Sequence, residues 1–94
     1  MYLHLGPSTV VRVSDIIGIF DLDITSQSYR TRQYLNRAEK AGQVIDAAEE
    51  QLPKSFVLCQ RKGEGSQRVY LAQPNPATLA KRARQDRRIT EKAV

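Results

Sequence analysis

The sequence lacks most of the groups that staple small secreted domains or anchor a chain in a membrane. Its 94 residues include one cysteine and no tryptophan, and no apolar run reaches the length of about eighteen residues that a membrane span needs. A single cysteine excludes an internal disulfide framework. The amino terminus has no basic segment followed by an apolar stretch, which a secretory signal requires. These absences predict one soluble, cytoplasmic domain with a small core and no membrane partner.

Groups for catalysis or metal binding are also scarce. His4 alternates with Leu3 and Leu5, so on a strand it faces solvent or an interface. Cys59 follows Phe56-Val57-Leu58 and is best explained as a small buried hydrophobe. One histidine and one cysteine make no tetrahedral zinc site without several carboxylates, and none has ligand-like spacing with them. We therefore expect no enzyme activity and no cofactor.

Asp21 and Asp23 form the one carboxylate pair that could share a strand face. Such a pair can bind a divalent cation. However, both residues stand where an apolar run ends and a polar one begins, at Thr25-Ser26-Gln27-Ser28. A strand end, a turn or an ion pair across a subunit boundary is therefore the favoured interpretation.

The net charge of +5 and the pI near 9.7 suggest a polyanionic partner, but the charge is unevenly placed. Residues 77–94 contain six lysines or arginines and two acidic residues, which leaves nine basic and eight acidic residues in the rest of the chain. The basic character thus belongs mainly to the carboxy-terminal end. A DNA-binding segment and a solubilising tail both fit this distribution.

Short strands are predicted where β-branched and aromatic residues alternate between turn signals. The predicted strands are residues 1–5, 9–13, 15–20, 55–60 and 68–73, with a further short strand starting at 44–45. Gly6-Pro7-Ser8 joins the first two as a hairpin, and the polar loop 61–67 joins the last two. The run 15–20 is predicted to be a buried strand, and 47–51 an acidic connection.

Two helices complete the predicted fold. Residues 28–41 show helical periodicity, with Ser26 or Ser28 as the N-cap and Gly42 as the left-handed residue after the helix. Its predicted apolar face contains Thr31, Tyr34, Leu35, Ala38 and Ala41. Asn75 and Pro76 predict the start of a second helix that runs to roughly residue 84 or beyond.

We therefore expect an α+β fold in a small single domain over residues 1–85. It would have four to five short, mostly antiparallel strands and two helices, and residues 86–94 would form a frayed or disordered basic tail. A small core with short strands also favours pairing with copies of the same chain.

Basic side chains border one side of the first predicted helix. Arg30 and Arg37 lie seven positions apart and are nearly aligned, and Lys40 lies about 60° further round. Such a stripe could follow phosphates or be a solvated flank. The run 81–88 spreads its charges around a helix, which suits non-specific phosphate contact. A third basic group flanks the loop 61–67 and comprises Arg61, Lys62 and Arg68.

Five landmarks occur in a fixed order over residues 1–83. They are Met1-Tyr2-Leu3-His4-Leu5-Gly6, Asp15-Ile16-Ile17-Gly18-Ile19-Phe20-Asp21-Leu22-Asp23, Leu52-Pro53-Lys54-Ser55-Phe56-Val57-Leu58, Val69-Tyr70-Leu71-Ala72, and Gln73-Pro74-Asn75-Pro76 followed by residues 77–83. Together they resemble the RemA/RemB family of small bacterial extracellular-matrix regulators, and the second and third resemble the RemB branch. The resemblance implies a cytoplasmic, non-enzymatic, DNA-associated regulator that works as an oligomer, with a ring as the form expected by analogy.

One part of the chain departs from the RemA pattern. In the RemA branch, the resemblance implies DNA contacts from an arginine-rich loop after a Gly-x-x-Ile-Asp-Ala stretch. Residues 42–47 match that stretch, but Glu49 and Glu50 stand where the branch is basic, and Lys54 alone keeps a cation. Acidic residues there would repel phosphate. A basic helix position of that branch falls near Arg32 or Gln33, so Arg32 is the better candidate for the matching residue.

The predicted DNA-binding residues are Arg30, Arg32, Arg37, Lys54, Lys81 and Arg82. The leading hypothesis is an oligomeric regulator of matrix or biofilm genes that makes weak, repeated contacts with double-stranded DNA. The alternative is an oligomeric adaptor that partners a RemA-like regulator without touching DNA itself.

Overall fold

The amino-terminal hairpin forms a small sheet of its own in the computed structural model, which describes the backbone of residues 1–93 and the side chains of residues 1–84. Strands β1 (Tyr2–His4) and β2 (Val10–Arg12) pair antiparallel, with Leu3 opposite Val11. Both of these residues are buried, whereas their neighbours along each strand are exposed. The first predicted hairpin is therefore confirmed.

Four further strands form the central sheet. They are β3 (Ile16–Asp21), β4 (Val44–Asp46), β5 (Ser55–Cys59) and β6 (Arg68–Ala72). Their order is β3-β5-β6-β4, with antiparallel pairing except for the parallel pair of β4 and β6. The hairpin of β5 and β6 is as predicted. The α+β class is confirmed, with one strand more than the four to five expected.

The predicted burial of the third strand is only partly correct. β3 is an edge strand, so its second edge has no partner within the described chain. A register shift between Ile16 and Gly18 interrupts its pairing with β5 and turns Ile17 outward, leaving that side chain 54% exposed. The β-branched run predicts the strand correctly, but the bulge places one of its apolar residues in solvent.

The described residues form three α-helices where two helices were predicted, besides a short 3₁₀ turn over Val13–Asp15. The unpredicted one, α1 (Leu22–Thr25), is a single turn that starts because the Ile24 N–H donates to Asp21 Oδ1 at 2.9 Å. Asp21 is thus an N-cap, as its position at a strand end favoured. The predicted helices are α2 (Tyr29–Lys40) and α3 (Pro76–Ala93).

The ends of α2 and α3 largely follow the capping signals. Ser28 holds the N-cap position of α2, but its side chain makes no capping hydrogen bond. Gly42 has a φ of 72°, the left-handed conformation predicted for it. Ala41 is exposed because α2 has already ended at Lys40, so its assignment to the apolar face was wrong. The Thr78 N–H donates to Asn75 Oδ1 at 2.9 Å and begins α3.

The central sheet separates two apolar layers. One face packs against the β1–β2 hairpin and α3. The sheet, the hairpin segment and α3 together bury Leu3, Leu5, Val11, Ala47, Val57, Cys59, Tyr70, Ala72 and Leu79 in this layer. The other face packs against α1 and α2, around buried Ala38, Phe56 and Val69. Because α2 lies over β4 and β6, it leaves the β3–β5 half of that face less covered.

The predicted tail over 86–94 lies outside the residues whose side chains are described. None of the helices that the structure describes has the length and apolar composition for a membrane span.

Candidate functional site

Two arginines of α2, Arg30 and Arg37, extend from its surface without an acidic partner among the described residues. Arg30 and Arg37 are both exposed, and their spacing of seven residues puts them about 10 Å apart along one side of the helix. Among the described residues, the one ion pair joins Arg68 to Glu64, with 3.7 Å between Nη2 and Oε2. Neither Arg30 nor Arg37 is therefore neutralised by a described carboxylate.

Arg32 has a different role from its two neighbours on α2. Its Nη1 donates to the carbonyl oxygens of Ser26 at 2.9 Å and Gln27 at 3.0 Å. These are backbone groups between α1 and α2, so the guanidinium ties the start of α2 to the end of α1. Two positions from Arg30, it also points about 200° away around the helix. The structure therefore does not bring Arg32 into line with Arg30 and Arg37.

Lys54 is exposed at the end of the central sheet where α1 begins. Its N–H donates to the carbonyl of Ala72, and its carbonyl accepts from the N–H of Leu22, both at 2.9 Å. These bonds fix its backbone between β6 and the first residue of α1. Lys54 and Arg32 thus lie at opposite ends of α1.

The predicted cations of α3 lie on the other side of the sheet. Lys81 and Arg82 are exposed, and α3 packs on the face opposite to α2. Arg82 lines a cavity of about 420 Å³ whose wall also contains Glu49 and Glu50. The structure therefore divides the six predicted DNA-binding residues between two faces of the sheet. It places Arg82 in one cavity wall with Glu49 and Glu50 of the acidic loop, residues 47–51.

The acidic loop itself is held in a defined shape. Asp46 Oδ1 accepts from the N–H groups of Ala48 at 3.1 Å and Glu49 at 3.2 Å. Glu49 has a φ of 57°, a left-handed conformation that non-glycine residues rarely adopt. Ala47 and Ala48 are buried beneath it. The two glutamates are thus presented from a turn anchored in the core.

A second cavity lies on the half of the sheet that α2 leaves less covered. Its floor is formed by Phe20 and Phe56, whose rings stack with centroids 4.9 Å apart and planes at 22°. Gly18 makes room for this stack, because a Cβ there would lie 2.6 Å from Phe20 Cζ. The cavity measures about 330 Å³, and its wall is formed by Phe20, Thr25, Arg30, Thr31, Tyr34, Phe56 and Leu58.

Sequence reasoning did not find this cavity, although one signal for it was available. Gly18 and Phe20 are two positions apart on a strand, so they share a face. A glycine beside an aromatic residue on one face marks a site where a ring lies over the backbone.

Tyr34 connects the same cavity with the tip of the β5–β6 hairpin. Its hydroxyl donates to Gln67 Oε1 at 2.7 Å, Gln67 Nε2 donates to Gln60 Oε1 at 3.4 Å, and Gln60 Nε2 donates to the Glu64 carbonyl at 2.8 Å. Burial raises the pKa of the Tyr34 hydroxyl, which keeps it protonated and able to donate.

The residues suited to metal binding or nucleophilic chemistry are not assembled. No group of three His, Cys, Asp or Glu side chains within the described residues could hold a metal ion. His4 is exposed and Cys59 is buried, as predicted. Burial, and then the Asp15 carboxylate, raises the pKa of the Cys59 thiol to about 11 against the opposing charge of Arg68. Cys59 is therefore a protonated core residue, since the thiolate is the reactive form.

Residues 2–83 match a family model described as RemA-like, extracellular matrix regulatory protein A-like. The chain belongs to the RemA-like family. The matched range covers both sheets, α1, α2 and the first part of α3. The match supports the resemblance at the level of the family and does not separate its branches. Among curated proteins, no sequence matches the chain. The RemA-like description is that of a regulatory protein.

Proposed function

We propose that this RemA-like chain is a cytoplasmic bacterial regulator of extracellular-matrix and biofilm genes that assembles into an oligomer and binds double-stranded DNA. We further propose that it belongs to the RemB branch, because the sequences of residues 15–23 and 52–58 resemble that branch. One observation carries the DNA-binding proposal. Arg30 and Arg37 stand exposed and unpaired by described carboxylates, two turns apart on one side of α2.

Two arginines per subunit supply weak, sequence-independent attraction to phosphate. Each phosphate contact releases counterions and contributes about 0.9 to the slope of log affinity against log salt. An oligomer repeats the pair and raises the total affinity through multivalency. Because the sheet lies between α2 and α3, a duplex along α2 reaches Lys81 and Arg82 only from a neighbouring subunit. In this proposal Arg30 and Arg37 on α2 are the primary contact. Arg32 is turned towards the end of α1 and is not part of that line, and Lys54 lies at the end of the central sheet where α1 begins.

Exposed apolar side chains support self-association. One group lies on the hairpin and comprises Met1, Tyr2 and Val10; another lies around α1 and comprises Ile24 at 69% exposure, Tyr29 and Leu52 at 81%. The two groups belong to different faces of the chain. The edge of β3, which has no partner strand within the described chain, is a third surface that could pair with another subunit. Two unlike patches on one subunit suit head-to-tail contacts, which close into a ring when the rotation permits.

The decisive experiment combines mass measurement with DNA titration at several salt concentrations. Arg30→Ala with Arg37→Ala should weaken binding and reduce the salt slope by about 0.9 for each phosphate that the variant no longer neutralises, with the assembly mass unchanged. The matched control is Arg61→Ala with Lys62→Ala, which removes the same charge from the exposed hairpin tip. If both pairs weaken binding equally, attraction follows total charge and α2 is not the interface.

The adaptor function is retained as a second proposal because of the acidic loop. Glu49 and Glu50 line the same cavity as Arg82, so their charges oppose phosphate binding at that surface. If the chain does bind DNA, Glu49→Arg with Glu50→Arg should raise the affinity. An absence of binding at low salt for both the natural chain and this variant would favour the adaptor, and co-assembly with a RemA-like regulator would then be measured.

A further inference from the structure

We propose that the cavity between α2 and the β3–β5 half of the sheet binds a small amphipathic anion, with its apolar body on the phenylalanine stack and its anionic head at Arg30. The binding itself does not depend on DNA recognition. Its regulatory consequence rests on the proposed function, because Arg30 is also half of the proposed α2 contact with phosphate.

The floor of the cavity is apolar and only partly covered. Phe56 is buried, whereas Phe20 and Leu58 remain partly exposed beside it. α2 lies mainly over the other two strands, and the single turn α1, which contacts β3 and β5, contributes Thr25 to the cavity wall and leaves the floor open. An apolar chain laid here would be removed from water against two stacked rings and a leucine, which is the favourable term in its binding. A volume of about 330 Å³ falls at the lower end of the range of small-molecule sites.

The rim of the cavity determines the sign of the ligand charge. Among the described residues, Arg30 is the one cationic side chain of the wall, and no described aspartate or glutamate lines it. Thr31 adds a hydroxyl. The Thr25 hydroxyl already donates to the backbone carbonyl of Asp21, and the Tyr34 hydroxyl to Gln67 Oε1. An anion held at this rim gains a charge-assisted hydrogen bond from the guanidinium. The cavity beside Arg82 differs in this respect, because Glu49 and Glu50 in its wall oppose an anion.

The shared arginine couples the two sites. A carboxylate bound to the Arg30 guanidinium occupies donors that a phosphate would otherwise use, so ligand and DNA compete for one cation. Arg37 lies outside the cavity wall and takes part only in the proposed DNA contact. The ligand should therefore weaken DNA binding partially and reciprocally.

Calorimetric titration of the full, assembled chain tests the site directly. The probes are octanoate, octanol and acetate, each at concentrations below micelle formation. Octanoate should bind saturably with one molecule per chain, about tenfold more tightly than octanol, and acetate should not bind measurably. Arg30→Gln should make the affinities for octanoate and octanol equal, and Arg30→Glu should transfer the preference to octylamine. Arg61→Gln, which removes an exposed charge outside the cavity, is the control and should leave octanoate binding unchanged.

Several results would overturn the proposal. These are the absence of saturable binding, equal affinity for octanoate and octanol in the natural chain, and equal losses from Arg30→Gln and Arg61→Gln. Dissociation of the assembly by octanoate would show instead that another subunit occupies the cavity, so assembly mass is measured with and without the probe.

Arg37→Gln separates this proposal from the proposed function. It should weaken DNA binding while octanoate still binds, and in the natural chain saturating octanoate should lower DNA affinity. Octanoate binding without any DNA binding would refute the DNA function and leave the ligand site standing. Octanoate binding with unchanged DNA affinity would overturn the coupling alone.

Discussion

Replacing Gly6 by alanine tests how tightly the amino-terminal hairpin is seated on the core. A Cβ built at Gly6 would overlap the carbonyl oxygen of Ala47 and lie 3.1 Å from its carbonyl carbon. These atoms are backbone, so no side-chain rotation can relieve the contact. Ala47 is fully buried, and its N–H donates to the Leu71 carbonyl at 2.9 Å. The hairpin must therefore move away, and buried Leu3 and Leu5 would move with it.

The expected cost can be estimated from known overpacking of protein interiors. Extra methyl groups in well-packed regions destabilise by about 1–3 kcal/mol. We expect about 2 kcal/mol for Gly6→Ala, because the outer residues of the loop are exposed and can yield in part. In a domain of this size, this loss lowers the melting temperature by about 8 to 16 °C.

Thermal unfolding followed by circular dichroism would measure this effect. Protomer concentration is kept constant, because assembly alters apparent stability. Gly65→Ala is the matched control, since no atom lies within 4 Å of a Cβ built there, and its effect should be neutral or stabilising by up to about 1 kcal/mol. If Gly6→Ala and Gly65→Ala have the same melting temperature, the hairpin does not pack against Ala47 as described.

Three further predictions concern single residues. Because burial and then Asp15 raise the pKa of the Cys59 thiol to about 11 from an ordinary value of 9.0, the unfolded chain loses that proton first. The contribution of the protonated thiol to the free energy of unfolding should be intact below about pH 9 and decline towards pH 11. Thermal melts of Cys59→Ala should therefore show a smaller loss of stability over that pH range. Asn75→Ala should cost about 1 kcal/mol in urea unfolding through loss of the α3 cap, with Asn75→Asp retaining it. Glu49→Gly should stabilise by up to about 1 kcal/mol by relieving the left-handed backbone, whereas Glu50→Gly should not.

Local features of this fold were predictable because they depend on adjacent residues. Gly6-Pro7-Ser8 defined a hairpin, and Asn75 and Gly42 marked helix ends that the structure confirms. The single turn α1 was not predictable, since a four-residue helix has too few residues to show a period and depends on one cap from Asp21. The parallel pairing of β4 with β6 was also missed, because nothing in a three-residue strand specifies a partner more than twenty residues away.

The candidate site shows a similar division. The alignment of Arg30 with Arg37 follows from helical geometry alone and could be derived from the sequence. The position of Arg82 beside Glu49 depends on which face of the sheet α3 covers, which is a tertiary choice. The bonds of Arg32 to backbone carbonyls likewise require the turn after α1, which was not anticipated.

The hydrogen-bonded series from Tyr34 through Gln67 to Gln60 makes the hairpin tip depend on a distant helix. The loop 61–67 contains two glycines and would otherwise be free to sample many shapes. Gln67 at the end of this loop is instead held from α2 by the hydroxyl of Tyr34, a residue that also lines the apolar cavity, and Gln67 in turn bonds Gln60. Rotation of the Tyr34 side chain would break its hydrogen bond to Gln67, so we expect the order of this surface loop to report on events inside the cavity.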